Sequence, residues 1–246
     1  MSRVVVVTGG ASGIGLGVGR RFASDGHRVA LLDRDGGGVK KAADELVAAG
    51  GTAIAVEVDV ADRDSVRAAF GQVRAELGPV EILVTSAGIE SFTPLGEITD
   101  ELWDRLISIN LTGTFACAQA AVPDMVAAGW GRIVTISSQS AQSGAPNMTH
   151  YAASKGGVIA LTKALAVEFA RQGITANTIS PSVVDTPMAR AATEAGDFPG
   201  IDVIAPMIPL GRAGTPEDIA DACVYLCSDN NYMTGQLLGV NGGMYL

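Results

Sequence analysis

The chain has 246 residues, 48% of them hydrophobic, and a formal net charge of −9 from 26 acidic and 17 basic side chains. That length and apolar content suffice for one sizeable core, so a single domain spanning 1–246 is expected. The lysines and arginines are scattered rather than clustered, which argues against a nucleic-acid surface or an anionic membrane patch and leaves small molecules as the expected partners.

Met1 runs almost at once into "RVVVVTGG", a strand leading into a tight turn, with no room for the charged and apolar regions of a signal peptide. No run of about 18 apolar residues stands out, so no membrane-spanning helix is expected and the chain is read as soluble and cytoplasmic. Cys117, Cys223 and Cys227 lack the paired spacing of a zinc site, and no metal is expected. Cys223 and Cys227, four positions apart, fit one buried helical stripe.

Seven short apolar runs read as strands: Val4 to Val7, Arg28 to Leu32, Thr52 to Val58, Glu81 to Val84, Arg132 to Ser137, Ile174 to Ser180 and Gln236 to Val240. They are continuous rather than alternating, as parallel strands covered on both faces are. Between them, helical patterns run over Ile14 to Ser24, Gly38 to Ala49, Arg63 to Leu77, Asp100 to Ala128, His150 to Arg171 and Pro216 to Cys227. The alternation predicts an α/β fold of Rossmann type: a doubly wound parallel sheet of about seven strands with helices on both faces. Ligands of such sheets bind beyond the strands' carboxyl ends, which places the site near Thr8, Asp33, Asp59, Ser86, Ser138 and Pro181. The segment from Thr186 to Pro209 has no clear place in the sheet and is read as a substrate lid over about 186–209.

"TGGASGIG", Thr8 to Gly15, follows the first strand and opens a helix. Its glycines would let the backbone approach a pyrophosphate, and the helix start offers unpaired N–H groups, so Gly9, Ser12, Gly13, Ile14 and Gly15 are candidate cofactor contacts; a tight turn without a ligand fits the same pattern. Asp33 ends the second strand about twenty residues on, where an acid accepts hydrogen bonds from the adenosine ribose. Its charge would oppose a 2′-phosphate by a few kcal/mol at about 4 Å, which favours NAD over NADP. Arg34 beside it is placed to stack on adenine or to meet a phosphate. Asp59 and Val60 end the third strand at the same rim, with Asp59 facing the adenine amino group or capping the next helix.

Tyr151 and Lys155 lie four positions apart on one helical face, and Ser138 precedes them at the end of the fifth strand. A free tyrosine titrates near pH 10, and a neighbouring ammonium together with a cationic nicotinamide would favour the phenolate of a general base. With these residues in view the chain resembles the short-chain dehydrogenase/reductase family over essentially its whole length. The pieces that carry the resemblance are "TGGASGIG", Asp33, Asp59, "SAG" at Ser86 to Gly88, Asn110 in "ISINLTG", Ser138, Tyr151, Lys155 and "PSVVDTPM" at Pro181 to Met188.

The resemblance implies an NAD(P)-dependent carbonyl/alcohol oxidoreductase. Tyr151 would be the acid/base, Ser138 would position the substrate oxygen, Lys155 would bind the nicotinamide ribose and lower the tyrosine's pKa, and Asn110 would support a water-linked proton relay. It also implies backbone contacts from Ala87 and Gly88, a nicotinamide edge at Pro181, Val184 and Thr186, and a homotetramer. Two departures stand out: "TSAG" at Thr85 to Gly88 replaces the family's Asn-Asn-Ala-Gly, and Ser182 replaces a glycine.

The substrate pocket is expected from Glu90 to Leu95, Gln139 to His150 and the lid. Met148, Met188, Phe198 and Met207 would form an apolar wall, and Gln139, Gln142 and His150 would supply polar contacts. The leading reading is an NAD-dependent secondary-alcohol dehydrogenase acting on an apolar or cyclic substrate. An NADPH-dependent 3-oxoacyl-thioester reductase and a non-catalytic NAD(H)-sensing protein are the alternatives.

Overall fold

Val4, Val5, Val6 and Val7 are all fully buried, yet they belong to two different cores. Side chains along a strand point alternately to opposite faces, so Val4 and Val6 join Phe70, Val73 and Leu83 on one side while Val5 and Val7 join Phe22, Leu31 and Ile219 on the other. A strand buried on both faces has no need of alternating polarity, which is why this one reads as an unbroken apolar run.

The computed structural model describes residues 2–229 and 232–246. In chain order its elements are β1 (Val4–Thr8), α1 (Gly13–Ser24), β2 (Arg28–Asp33), α2 (Gly36–Ala48), β3 (Thr52–Glu57), α3 (Arg63–Glu76), β4 (Ile82–Thr85), α4 (Asp100–Ile107) and α5 (Gly113–Ala128). There follow β5 (Gly131–Ile136), α6 (Ser140–Ser143), α7 (Thr149–Phe169), β6 (Ile174–Pro181), α8 (Pro187–Glu194), α9 (Ile201–Ile204), α10 (Pro216–Leu226) and β7 (Leu237–Val240).

Among the described residues the seven strands form one parallel sheet in the order β3-β2-β1-β4-β5-β6-β7. Helices α3, α5 and α7 cover one face, and α1, α2 and α10 cover the other. Each predicted strand is present, with ends shifted by no more than one residue. The order reverses between β1 and β4, and a crevice opens there beyond the carboxyl ends.

Three differences from expectation concern helices. The run read as one helix from Asp100 to Ala128 contains a π-turn at Ser108–Thr112, between α4 and α5. Such a turn inserts a residue into the hydrogen-bond ladder and re-aims the side chains around it. Contrary to the expectation of no spanning segment, Asp100–Ala128 is long and apolar enough by length and composition to cross a membrane. Half of its most apolar stretch is buried within this fold, where α5 packs on α3, β4, β5 and α7. The Thr186 to Pro209 segment is helical in part, carrying α8 and α9.

All three cysteines are free and buried, and burial pushes the Cys117 and Cys227 thiols up to about 12. They act as apolar side chains. Phe70 on α3 is fully buried between helix and sheet. Phe70→Ala should lower stability by about 3–5 kcal/mol, read as an earlier midpoint in urea unfolding.

Candidate active site

One cavity of about 590 Å³ follows the carboxyl edge of the sheet across the crevice. It is lined by every candidate catalytic and cofactor-contact residue named from the sequence except Asn110. The structure therefore brings together Gly9, Ser12, Gly13, Ile14, Gly15, Asp33, Arg34, Asp59, Val60, Ala87, Gly88, Ser138, Tyr151, Lys155, Pro181, Val184 and Thr186.

At one end, Gly9 has φ +70°, and a Cβ on it would lie 2.9 Å from the Ala87 amide nitrogen; a Cβ on Gly15 would lie 2.1 Å from the Gly9 carbonyl oxygen. Only glycine permits this packing of turn, helix and β4 loop. Ser12 caps α1 without using its side chain, so its hydroxyl and the first amides of the helix are free for an anion. The Asp33 carboxylate is held by two backbone amides, Ala11 N–H at 3.1 Å and Asp35 N–H at 3.0 Å. Asp59 does not cap the next helix: Asp62 does, while Asp59 accepts from Ala61 N–H at 2.9 Å. This end fits the pyrophosphate and adenosine of a dinucleotide, because the glycine cradle, the free helix start and a fixed carboxylate lie in that order along one groove.

The two departures find local solutions. In place of asparagine contacts, the Thr8 hydroxyl accepts from the Ser86 and Ala87 amides at 3.2 and 3.1 Å. The buried Thr85 hydroxyl has no hydrogen-bond partner among the described residues. Ser182 keeps an ordinary backbone conformation and donates its hydroxyl to the Asn241 carbonyl at 3.0 Å, tying the motif to the segment after β7. The short ladder to Gly214 uses the Val183 carbonyl and the Asp185 amide, which turns the amide and carbonyl of Val184 to the opposite side. The Thr186 hydroxyl caps α8 by accepting from Ala189 N–H at 3.3 Å, and its own proton remains to donate.

At the other end lie Ser138, Tyr151 and Lys155. The Ser138 oxygen accepts from both the hydroxyl and the amide of Ser140, at 2.9 and 3.2 Å. With its lone pairs engaged, Ser138 is left to donate, and its hydrogen bond favours ionisation of Tyr151. That effect is outweighed. Burial, reinforced by the negative charge of Glu90, pushes the Tyr151 phenol well above its ordinary pKa. This corrects the expectation of a lowered value: without cofactor Tyr151 is a neutral phenol, a proton donor. Burial also pulls the Lys155 ammonium down to about 8 against the opposing effect of Glu90. Its Nζ donates to the Ile136 carbonyl at 3.0 Å.

Asn110 is fully buried in the π-turn and outside the cavity lining. Its side chain accepts from Ile89 N–H at 2.9 Å and donates to the Ile89 carbonyl and the Ser154 hydroxyl, each at 3.0 Å. The side chain is thus committed to holding the β4 loop against α7, and the implied relay is left with the backbone carbonyl, which already accepts from Thr114 at 2.8 Å.

The expected wall is mostly in place: Gln139, Met148, Met188 and Phe198 line the cavity. Met207 does not and is largely exposed. Gln142 turns away to donate to the Ser180 hydroxyl at 2.7 Å. His150 is buried, burial lowers its pKa, and neither ring nitrogen is hydrogen-bonded among the described residues. Ser140, Ser154 and Glu90 were missed as individual residues. The first two carried a faint signal, lying two positions after Ser138 and three after Tyr151. Among the described residues no group of three His, Cys, Asp or Glu side chains is placed to hold a metal.

These features define a nicotinamide-dependent oxidoreductase with a Tyr-x-x-x-Lys site. A family model described as enoyl-(acyl carrier protein) reductase matches residues 9–245. The chain is 39% identical over 245 residues to 3-oxoacyl-(acyl-carrier-protein) reductase MabA of Mycobacterium tuberculosis, covering 99% of this chain and 93% of that one. It is 40% identical over 242 residues to D-threitol dehydrogenase of Mycolicibacterium smegmatis, covering 98% and 92%. A crystal structure of an actinorhodin polyketide ketoreductase variant with NADPH superimposes with a TM-score of 0.95 at 36% identity, covering 99% and 97%. The chain belongs to the short-chain dehydrogenase/reductase family.

Lys155 gives a pH test. Its folded pKa of about 8 lies below the ordinary 10.5, so above pH 8 the unfolded chain holds a proton that the folded chain has released. Stability of the cofactor-free protein should therefore rise from about pH 8 toward 10 relative to Lys155→Met, measured by urea unfolding across that range.

Proposed function

We propose that this protein is an NAD(H)-dependent oxidoreductase interconverting a secondary alcohol and its ketone on an apolar or cyclic substrate, with Tyr151 as general acid/base. The reading is carried by the juxtaposition of the Tyr151 phenol and the donating Ser138 hydroxyl in the apolar end of a cavity whose far end holds the glycine cradle and Asp33. The nicotinamide, when bound, supplies or accepts a hydride and in its oxidised form brings positive charge. The chain's own residues manage the oxygen and its proton. Ser138 donates to the substrate oxygen, and Tyr151 gives its proton as that oxygen gains charge. Lys155 and the Ile136 carbonyl fix the ammonium beside the ring, 5.8 Å from its centroid. The apolar side chains exclude water, which strengthens each of these interactions.

The NAD preference rests on Asp33. Two amides hold its carboxylate at the rim, so it has no free rotation away from a 2′-phosphate. At about 4 Å the repulsion amounts to a few kcal/mol. A second reading, an NADPH-dependent 3-oxoacyl-thioester reductase, is favoured by Arg34, which is exposed on the cavity wall. The NADPH of the ketoreductase structure and the name of the mycobacterial relative point the same way. Homotetramer assembly is proposed as well: Trp103, Val126 and Val167 are exposed apolar residues on the long helices.

Absorbance at 340 nm with NAD and then NADP, against secondary alcohols and 3-oxoacyl thioesters, separates the readings. Turnover with NAD and an alcohol supports the first, and turnover confined to NADPH and a thioester installs the second. Cofactor binding without turnover of any alcohol or ketone would favour the sensing alternative. Tyr151→Phe should lower kcat by about 10²–10⁴-fold while cofactor affinity stays near that of the parent. Asp33→Ala should weaken NAD and narrow its advantage over NADP, read as Kd for each by fluorescence titration.

A further inference from the structure

Five charged residues line the cavity. Asp33, Arg34 and Asp59 stand at the ends of β2 and β3, the dinucleotide end, which leaves Lys155 and Glu90 at the catalytic end. Lys155 has the Ile136 carbonyl as a partner. Glu90 has none: among the described residues no hydrogen bond holds its carboxylate, and Lys155 is the one charge that shifts its pKa.

This carboxylate follows the Ala87–Gly88 turn and lies in the cavity wall with Phe92, Met148 and Tyr151. It is half-buried, and burial raises its pKa while the Lys155 charge lowers it. Its charge also reaches Tyr151 and Lys155, raising both of their pKa values, so it sits beside the reacting groups. A partly desolvated carboxylate in an apolar wall accepts hydrogen bonds and donates none, and it is costly to leave without a donor. Among the described residues the fold supplies no donor, so a ligand that displaces water from this wall has to bring one. An ammonium would bring a second cation next to Lys155 and beside an oxidised nicotinamide. A neutral hydroxyl avoids that repulsion.

We propose that Glu90 is a specificity-determining residue that accepts a hydrogen bond from a second hydroxyl of the substrate, which makes the substrate class a diol or hydroxyketone. This rests on the secondary-alcohol reading above. An acyl thioester carries no such hydroxyl beside the reacting carbon, and a simple monoalcohol would leave the carboxylate unpaired.

The test compares matched pairs, cyclohexanol with trans-1,2-cyclohexanediol and 2-butanol with 2,3-butanediol, on the cofactor-saturated enzyme with NAD and with NADP. For the wild-type chain, kcat/KM should be about tenfold or more higher for the diol, as a hydrogen bond to a charged group provides. Glu90→Leu should reduce that ratio by about tenfold, with the loss in the KM of the diol. Glu90→Gln keeps the side chain's shape and should reduce the ratio in the same direction, and Glu90→Asp should restore part of it. A wild-type ratio near one, or an unchanged ratio in both Glu90→Leu and Glu90→Gln, overturns the inference while leaving the oxidoreductase reading in place. A Glu90-dependent preference for 2-aminocyclohexanol over the diol overturns it in favour of a cation. Failure of every alcohol and the matching ketones with both cofactors removes the secondary-alcohol reading, and this inference with it.

Discussion

The two hydrogen bonds between the Asn110 side chain and the Ile89 backbone tie the catalytic half of the molecule together. They hold the loop after β4 against the π-turn between α4 and α5, and the third bond, to Ser154, joins both to α7. Asn110 and Ser154 are fully buried and the two Ile89 bonds partly so, and losing the amide would leave Ile89's N–H and C=O without their partner at up to about 1–3 kcal/mol apiece. Gly88 is clamped in the same junction: a Cβ there would lie 3.1 Å from Asn110 Oδ1 and 3.2 Å from Lys155 Nζ. Ser154 in turn donates to the Tyr151 carbonyl at 2.8 Å. One amide therefore joins the loop that carries Gly88 and Ile89 to the helix that carries Tyr151 and Lys155, and it sits in the π-turn.

The fold was legible because its signals are local. A strand buried on both faces shows as an unbroken run of apolar residues, and the glycine turn, Asp33 and the Tyr151–Lys155 spacing each fall within a few residues of one another or at a strand end. The doubly wound sheet follows from their alternation. The π-turn was not legible, since Ser108 to Thr112 continues the helical pattern and only the distant partners Ile89 and Ser154 draw Asn110 out of it. The same holds for side-chain direction: Gln142 finds Ser180, and Met207 lies exposed although its segment borders the pocket.

The charge state of the site was the least legible feature, and the reason is physical. Spacing along a helix places an ammonium near a phenol, and from that alone a lowered phenol pKa follows. Whether either partner is charged depends on desolvation, and the phenol is packed with Leu106 and Met148, which lie outside the Tyr-x-x-x-Lys motif. Here burial acts on both partners, raising the phenol and lowering the ammonium. Glu90 adds a negative charge that no family motif foretells.

The consequence is a site whose protonation follows the charge brought into it. A unit positive charge about 4 Å from the phenol would favour the phenolate by about 4 kcal/mol at an effective dielectric of 20. That corresponds to roughly three pKa units, enough to offset a burial penalty of this kind. With the charge absent, Tyr151 stays a neutral phenol; with it present, the phenol's proton affinity falls back toward the ordinary tyrosine range, which brings the same residue closer to exchanging its proton. Glu90 works against the second state by its own negative charge, and a hydroxyl bonded to that carboxylate disperses part of it. Substrate recognition by Glu90 and the proton affinity of Tyr151 are then two readings of one local field.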